Sequence, residues 1–307
     1  MPAFQYDMLV VTGVTATGKT SLAANIAATL NGEIISADSR QVFRGMSIGT
    51  GKDLGDYVID GKPIPYHLVD IRKAGETYSV FDFQKDFLAA YQKIKQSGHF
   101  PVLSGGTGLY VESVVSRYRL LDVPQNKPLR DKLKDKNLDE LTRILSGMKK
   151  MHNVTDVDTR QRAIRAIEIE TYYENHDVEE TNIPEIKPLI VAPSFDRPQI
   201  RKRITERLHQ RLDEGMVDEA RQLLNQGIDP EQLISYGLEY KYLTWYLTGE
   251  MDYDTMVERL NIAIHQFAKR QMTWFRRMQR KGTEIHWIDG YLPMKEKVKQ
   301  VKALLSQ

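Results

Sequence analysis

Between Leu9 and Leu30 the chain reads "LVVTGVTATGKTSLAANIAATL", an apolar run, a turn bounded by glycines, and an Ala-rich stretch of helical spacing. The run from Met8 to Thr12 has no polar alternation, which predicts a strand buried on both faces. Lys19 to Leu30 predicts a helix. A strand that passes straight into a helix through such a turn demands a parallel sheet with helices packed over it.

The turn Gly13-Val14-Thr15-Ala16-Thr17-Gly18-Lys19-Thr20 fits G-x-x-x-x-G-K-[ST]. Its glycines let backbone N–H groups converge on one point, the helix dipole favours an anion there, Lys19 adds a cation, and the Thr20 hydroxyl is placed to ligate Mg²⁺. This pattern binds phosphate; it does not specify what happens to the phosphate.

Further strands are expected at "GEIISADS", "PYHLVDI", "FPVLSGG" and "PLIVAPSF", with a helix from Val80 to Ser97. Strands alternating with helices predict an α/β fold, a parallel sheet of the P-loop NTPase type flanked by helices. The stretch after Arg117 is charged, helical in pattern and poor in strand signals. It is read as a small inserted helical subdomain, residues 117–187, between two halves of the core, 1–116 and 188–307. Helices are expected to fill the chain beyond "PLIVAPSF", and the Lys-rich tail from Met294 to fray.

Nucleotide-hydrolysing members of this class end a second strand in a carboxylate. Here the strand "FPVLSGG" ends in Ser104-Gly105-Gly106, without an acid. The acid stands earlier, in "IISADSRQVF". Ligands of open parallel sheets sit at the carboxyl ends of strands, so Asp38 is placed either to bind metal or to accept a proton. A turn or helix-capping role for Asp38 fits its spacing equally well. The same pair of readings applies to Thr107 in "SGGTGLY", as a ligand contact or as a helix cap.

Composition narrows the class. The chain lacks Cys, which removes disulfides, thiolate chemistry and Cys-based zinc sites. Its seven His residues show no metal-ligand spacing, and His67 reads as a satisfied strand-end residue. No apolar run approaches the roughly eighteen residues of a membrane span, and no secretory signal pattern opens the chain. A cytoplasmic location and a monomer are the defaults. The formal charge of +2 conceals three basic regions, "DTRQRAIRAIEIE", "DRPQIRKRITERLHQR" and "AKRQMTWFRRMQRKG", which raise the expectation of a polyanionic partner. Trp274 and Phe275 in the last of these can stack bases, but their helical spacing with Phe267 and Met278 is more typical of a core.

The phosphate turn, "IISADSRQVFRGMSIGTGK", "YHLVDI", "LSGGTGLY", "RQRAIRAIEI", "RKRITER" and "AKRQMTWFRR" occur in an order that resembles the tRNA dimethylallyltransferases, also called tRNA isopentenyltransferases. The resemblance runs over nearly the whole chain. It implies transfer of a dimethylallyl group from dimethylallyl diphosphate to the exocyclic amino group of the adenine 3′ to the anticodon, in tRNAs that read codons beginning with U. It also implies Mg²⁺ and release of diphosphate. Gly13 to Thr20 would then cradle the diphosphate, aided by Arg203, and Asp38 would take the amino proton, with Thr107 beside the reacting groups. The anticodon stem-loop would meet Asp38, Ser39, Arg40, Gln41 and Thr107, and on the insert Arg130 and the run Gln161, Arg162, Ala163, Ile164 and Arg165.

Some positions depart from the family pattern. "GTGKD" stands where Gly-Thr-Ala-Lys-Pro is usual, Glu239 replaces a Gly, Gly-Val-Thr opens the phosphate turn in place of Gly-Pro-Thr, and the insert is shorter. Two other classes share the motifs: a P-loop small-molecule kinase, and a catalytically silent tRNA-binding paralogue. The missing strand-end acid and the basic helices argue against the first. Retention of Lys19, Thr20, Asp38 and Thr107 argues against the second.

Overall fold

The computed structural model describes residues 5–118, 120–148, 157–176 and 184–306. A parallel sheet of six strands forms its centre: β1 Met8–Val11, β2 Gly32–Ser36, β3 Tyr66–His67, β4 Phe100–Ser104, β5 Pro188–Ser194 and β6 His286–Asp289. Their order across the sheet is β6-β5-β1-β4-β2-β3. The strand carrying the phosphate turn is therefore central, with Leu9 paired to Val102 on one side and Leu189 on the other.

Period-two alternation splits the sheet residues between two cores. Met8, Val10, Ile35, Leu103 and Ile190 face one layer, formed with α2 Val80–Gln96, α3 Gly108–Val115 and the end of α11 Tyr253–Arg280. Leu9, Val11, Ile34, Val102 and Leu189 face the other, formed with α1 Lys19–Leu30 and α12 Met294–Leu305. Helix α1 buries Ala23, Ala24 and Ala27 along with Leu22 and Ile26, and the small side chains let it lie close to the strands. Helix α2 opens on a capping box, in which the Ser79 hydroxyl accepts from the Asp82 amide and Asp82 accepts from the Ser79 amide.

A third apolar cluster lies under the phosphate turn. It joins Val14 and Ala16 to α7 Arg197–Asp213, α8 Met216–Asn225, α9 Pro230–Ser235, α10 Leu238–Leu247 and α11, through Ile204, Leu208, Tyr240 and Ile264. Glu219 on α8 closes this layer. Its carboxylate accepts from the amides of Ser47, Ile48 and Gly49 and from the Tyr240 hydroxyl at 2.7–2.9 Å.

The sequence reading needs three corrections. In "PYHLVDI" only Tyr66 and His67 pair with the sheet, because Leu68 and Asp70 adopt left-handed φ of 62° and 56° and end the strand. His67 itself is satisfied, its Nε2 lying 2.6 Å from Glu33 Oε2. The region beyond β5 is not all helix, since "HWID" adds β6 at the sheet edge. Nor does the chain from Met294 fray. It forms α12, which packs against α1 and buries Val301 and Leu305 fully.

The chain divides into two compact units, one of Met1–Tyr118 with Pro184–Gln307 and one of Arg119–Ile183. The second contains α4 Lys127–Leu133, α5 Leu138–Met148 and α6 Arg160–Asn175 around Leu133, Leu141, Leu145, Ala163 and Ile167. At its centre the Glu168 carboxylate, inaccessible to solvent, accepts from the Asn126 amide at 2.6 Å, from Arg130 Nε and Nη2 at 2.9 and 3.0 Å, and from Arg165 Nη1 at 2.7 Å. Burial alone would raise its pKa, but the hydrogen bonds from Arg130 and Arg165 outweigh that and hold it at about 2.

Two predictions follow from this packing. Leu305→Ala should lower unfolding stability by about 2 kcal/mol, the lower range for a buried Leu, since it sits in a terminal turn; urea denaturation measures it, and an unchanged midpoint would mean α12 is not docked. Glu168 is depressed in the folded state, so its stabilisation is complete above the ordinary carboxylate pKa of about 4.5 and is lost as pH falls toward about 2. Hydrogen-exchange protection factors in α6, taken against the intrinsic rate at each pH, should fall across that window, and less so in Glu168→Gln.

Candidate active site

Three neighbouring strands end together, and hydrogen bonds just beyond them bind their exits into one surface. The Thr12 hydroxyl after β1 donates to Gly105 O at 2.9 Å, the Gly105 amide donates to Val11 O at 3.2 Å, and the Ala37 amide after β2 donates to Ser104 O at 2.7 Å. The Thr107 amide completes the set with Ala37 O at 3.3 Å. Only glycine fits at 105, where a Cβ would stand 2.2 Å from Ala37 O.

The phosphate turn leaves β1 through Gly13 and enters α1 through Gly18, which caps the helix at a left-handed φ of 76°. Ala16 is also left-handed, at φ 62°. Alternating handedness of this kind makes successive N–H groups converge into an anion-binding concavity. The carbonyls of the turn are held by side chains: Val14 O accepts from Thr17 Oγ1 at 2.9 Å and Lys19 Nζ at 2.7 Å, and Ala16 O accepts from Arg203 Nε at 2.7 Å.

A cavity of about 350 Å³ opens onto this turn, lined by Gly18, Lys19, Thr20, Arg203, Arg207, Asp53 and Asp56. Arg203 also stacks on Phe195, with its guanidinium 4.8 Å from the ring centre. Burial, and then the neighbouring charge of Arg207, pull the Lys19 pKa from 10.5 down to about 8, against the opposing influence of Asp38. Arg207 and Arg211 follow Arg203 at four-residue spacing on α7. Arg207 pairs with Asp53 at 3.0 Å and Arg211 lies 3.7 Å from the same oxygen. Gly51 makes room for both guanidiniums, since a Cβ there would lie 1.9 Å from Arg211 Nη2 and 2.5 Å from Arg207 Nη2. Two of the departures in "GTGKD" thus meet these arginines.

Asp38 follows β2 and Thr107 follows β4, and the two exits are joined where the Thr107 hydroxyl meets Ser39. Asp38 does make a turn contact, since its Oδ1 accepts from the Arg40 amide at 2.9 Å. Thr107 stands at the cap position of α3, yet its hydroxyl makes no capping bond. The hydroxyl oxygen instead accepts from the Ser39 amide at 3.0 Å. Arg40 packs inward against Gly237, and Gln41 is nearly buried, donating to Gly51 O at 3.0 Å. On the insert, Gln161 and Arg162 are exposed, Ile164 is half-buried and Ala163 belongs to the insert core. The guanidiniums of Arg130 and Arg165 are engaged with Glu168, each still more than a third exposed.

The identity of this fold is decided by comparison. A family model described as IPP transferase matches residues 41–278. The chain belongs to that family. It is 59% identical over 302 residues to tRNA dimethylallyltransferase 2 of Bacteroides fragilis, covering 98% of this chain and 99% of that one. Against tRNA dimethylallyltransferase 2 of Phocaeicola vulgatus the identity is 56%, covering 98% of each. Among solved structures, a full-length tRNA isopentenylpyrophosphate transferase from Bacillus halodurans superposes with a TM-score of 0.71 at 30% identity, covering 98% of this chain and 95% of that one. A eukaryotic dimethylallyltransferase crystallised acting on tRNA shares the fold, with a TM-score of 0.72 at 22% identity over 92% of this chain and 74% of that one.

Within this IPP transferase fold, several site neighbours escaped the sequence reading. Arg207 and Arg211 were accessible from it, because four-residue spacing places them on the helix face that carries Arg203. Gln271 had no local signal at all. Its Oε1 accepts from the Thr15 amide and its Nε2 donates to Gly106 O, both at 2.8 Å, across 256 and 165 residues of chain. Phe275 proves to be core, and Trp274 packs on Gly108 under the Arg277 guanidinium.

The lowered pKa makes Lys19 the test of this electrostatic picture. Competitive labelling with an amine-specific reagent should show Lys19 reaching half-maximal reactivity near pH 8, well below an ordinary lysine, and inorganic diphosphate should protect it. Titration near 10.5 would mean the amine is not buried against the turn.

Proposed function

We propose that this chain transfers a dimethylallyl group from dimethylallyl diphosphate to the exocyclic amino group of the adenine 3′ to the anticodon, in tRNAs reading codons that begin with U. The observation that carries the reading is one surface with two chemistries. A cationic amide turn with Lys19 and Arg203 lies beside the two turns that bear Asp38 and Thr107, all three tied together at the ends of β1, β2 and β4. Family membership supports the same reading.

In the reaction the carbon–oxygen bond of the donor breaks, a carbon–nitrogen bond to the adenine forms, and one amino proton leaves. Negative charge develops on the departing diphosphate. Turn amides, Lys19 and Arg203 are preorganised to receive it, with no reorganisation needed at that moment. The Asp38 carboxylate takes the proton, and a base within hydrogen-bond reach matters because an exocyclic aromatic amine is a weak nucleophile. Thr107, on the Ser39 amide, borders the same space.

The residues present fit Mg²⁺. Thr20, the second residue of α1, stands half-buried on the wall of the cavity, among Lys19, Asp53 and Asp56. When bound, Mg²⁺ would supply further neutralisation of the diphosphate charge. For the RNA, Asp38 to Gln41 would surround the target base, and Arg130 with Gln161 to Arg165 would meet the anticodon stem-loop. Extruding the base from the loop stack costs about a few kcal/mol, which basic contacts to loop phosphates offset. Among the described residues no helix is long and apolar enough to cross a membrane. We take the protein to act as a cytoplasmic monomer.

Incubation with Mg²⁺, labelled dimethylallyl diphosphate and unmodified tRNA should place label in the RNA. ATP-dependent phosphorylation of a small molecule instead would reverse the reading, and RNA retention without label would leave a binding protein. Asp38→Ala should reduce turnover by about two orders of magnitude, the scale of a lost general base, while tRNA affinity in filter binding stays near wild type. Near-normal turnover would remove Asp38 from this role.

A further inference from the structure

Gln271 stands on α11, 7% exposed, with its carboxamide wedged between the two turns that the chemistry needs. One end accepts from Thr15 in the phosphate turn and the other donates to Gly106, the residue before Thr107, both at 2.8 Å. The turns are close neighbours: a Cβ on Gly106 would lie 3.3 Å from Gly13 O and 2.7 Å from the carboxamide nitrogen. From Thr107 the connection continues to the Ser39 amide at 3.0 Å, next to Asp38. Leaving-group side and base side are therefore joined through one side chain from a distant helix.

The two bonds run in opposite senses, which is a demand on residue type. Thr15 needs an acceptor and Gly106 needs a donor. An amide supplies both at that length. A carboxylate would keep the first bond and set oxygen against oxygen at the second.

We propose that Gln271 is a positioning residue for prenyl transfer, setting the spacing between the diphosphate turn and the turn that carries Thr107 and, through Ser39, Asp38. Gln271 touches neither reactant in this role. Its contribution is to the alignment of the departing oxygen, the prenyl carbon and the amino nitrogen, where a misplacement of about 1 Å can lower rate about a hundredfold. The inference rests on the transfer reaction proposed above.

The test compares wild type with Gln271→Glu, Gln271→Met and Gly106→Ala. Gly106 has no left-handed φ, and an Ala methyl there would lie 2.7 Å from the carboxamide nitrogen and 3.3 Å from Gly13 O, so the variant presses on both the bridge and the phosphate turn it spaces. Single-turnover rates at saturating donor and tRNA, KM for tRNA, and thermal melting are measured for each. The expected result is a tenfold or greater fall in the transfer rate for every variant, with KM for tRNA within twofold of wild type. The double variant Gln271→Glu with Gly106→Ala should be no slower than the worse single one, because both break the same bridge.

Wild-type transfer rates in a folded Gln271 variant would overturn the proposal. So would fully multiplicative losses in the double variant, or losses confined to melting temperature. If a Gln271 variant does not fold at the assay temperature, Gly106→Ala decides by the same rate and KM criteria. Absence of prenyl transfer by the wild-type protein would instead be a failure of the functional reading, and is seen separately in the same assay.

Discussion

Everything at the site depends on hydrogen bonds between peptide groups just past the ends of three parallel strands. Beyond β1, β2 and β4 the chain leaves the sheet ladder, and its polar groups would be orphaned in a buried place. They find one another instead, through Thr12 to Gly105, Gly105 to Val11, Ala37 to Ser104 and Thr107 to Ala37. Gly105 is indispensable to this closure, because any side chain would collide with Ala37 O. These bonds bring the phosphate turn and the turns bearing Asp38 and Thr107 together, and the Gln271 carboxamide bridges the first to the last.

Electrostatics are laid over that frame. Lys19, Arg203, Arg207 and Arg211 concentrate positive charge around the Gly13–Thr20 turn, and burial, then mutual repulsion, lowers the pKa of Lys19 and brings that of Arg211 to about 10. Asp53 tempers the cluster by pairing with Arg207. A site of this kind is strained in charge and would be relaxed by a polyanion such as the diphosphate of the proposed donor. The insert solves the opposite problem. There a buried carboxylate, Glu168, is held ionised by two arginines, whose side chains are fixed in place while staying more than a third exposed.

Much of this was legible along the chain because it is local. A buried strand, two glycines at fixed spacing, a Lys and a Thr define the phosphate turn whatever surrounds them, and α1 begins and ends where its pattern says. The two open questions at Asp38 and Thr107 were not local. Asp38 proved to make the turn contact, and Thr107 proved not to cap its helix, since the Ser39 amide had come within reach of its hydroxyl. The edge strand β6 was missed because four residues after a long helix carry little periodic signal. Helix α12 was misjudged because its lysines obscured Val301 and Leu305, which α1 and the sheet cover.

By itself, then, the sequence determined the phosphate turn, the parallel α/β core and the basic helices, because each is written within a few residues of itself. Tertiary structure alone decided that Arg207 would pair with Asp53, that Glu168 would gather Arg130 and Arg165, and that Gln271 would reach Thr15 and Gly106. Those contacts join segments far apart in the chain, and a side chain's distant partner is set by how helices pack on the sheet, not by its neighbours in sequence.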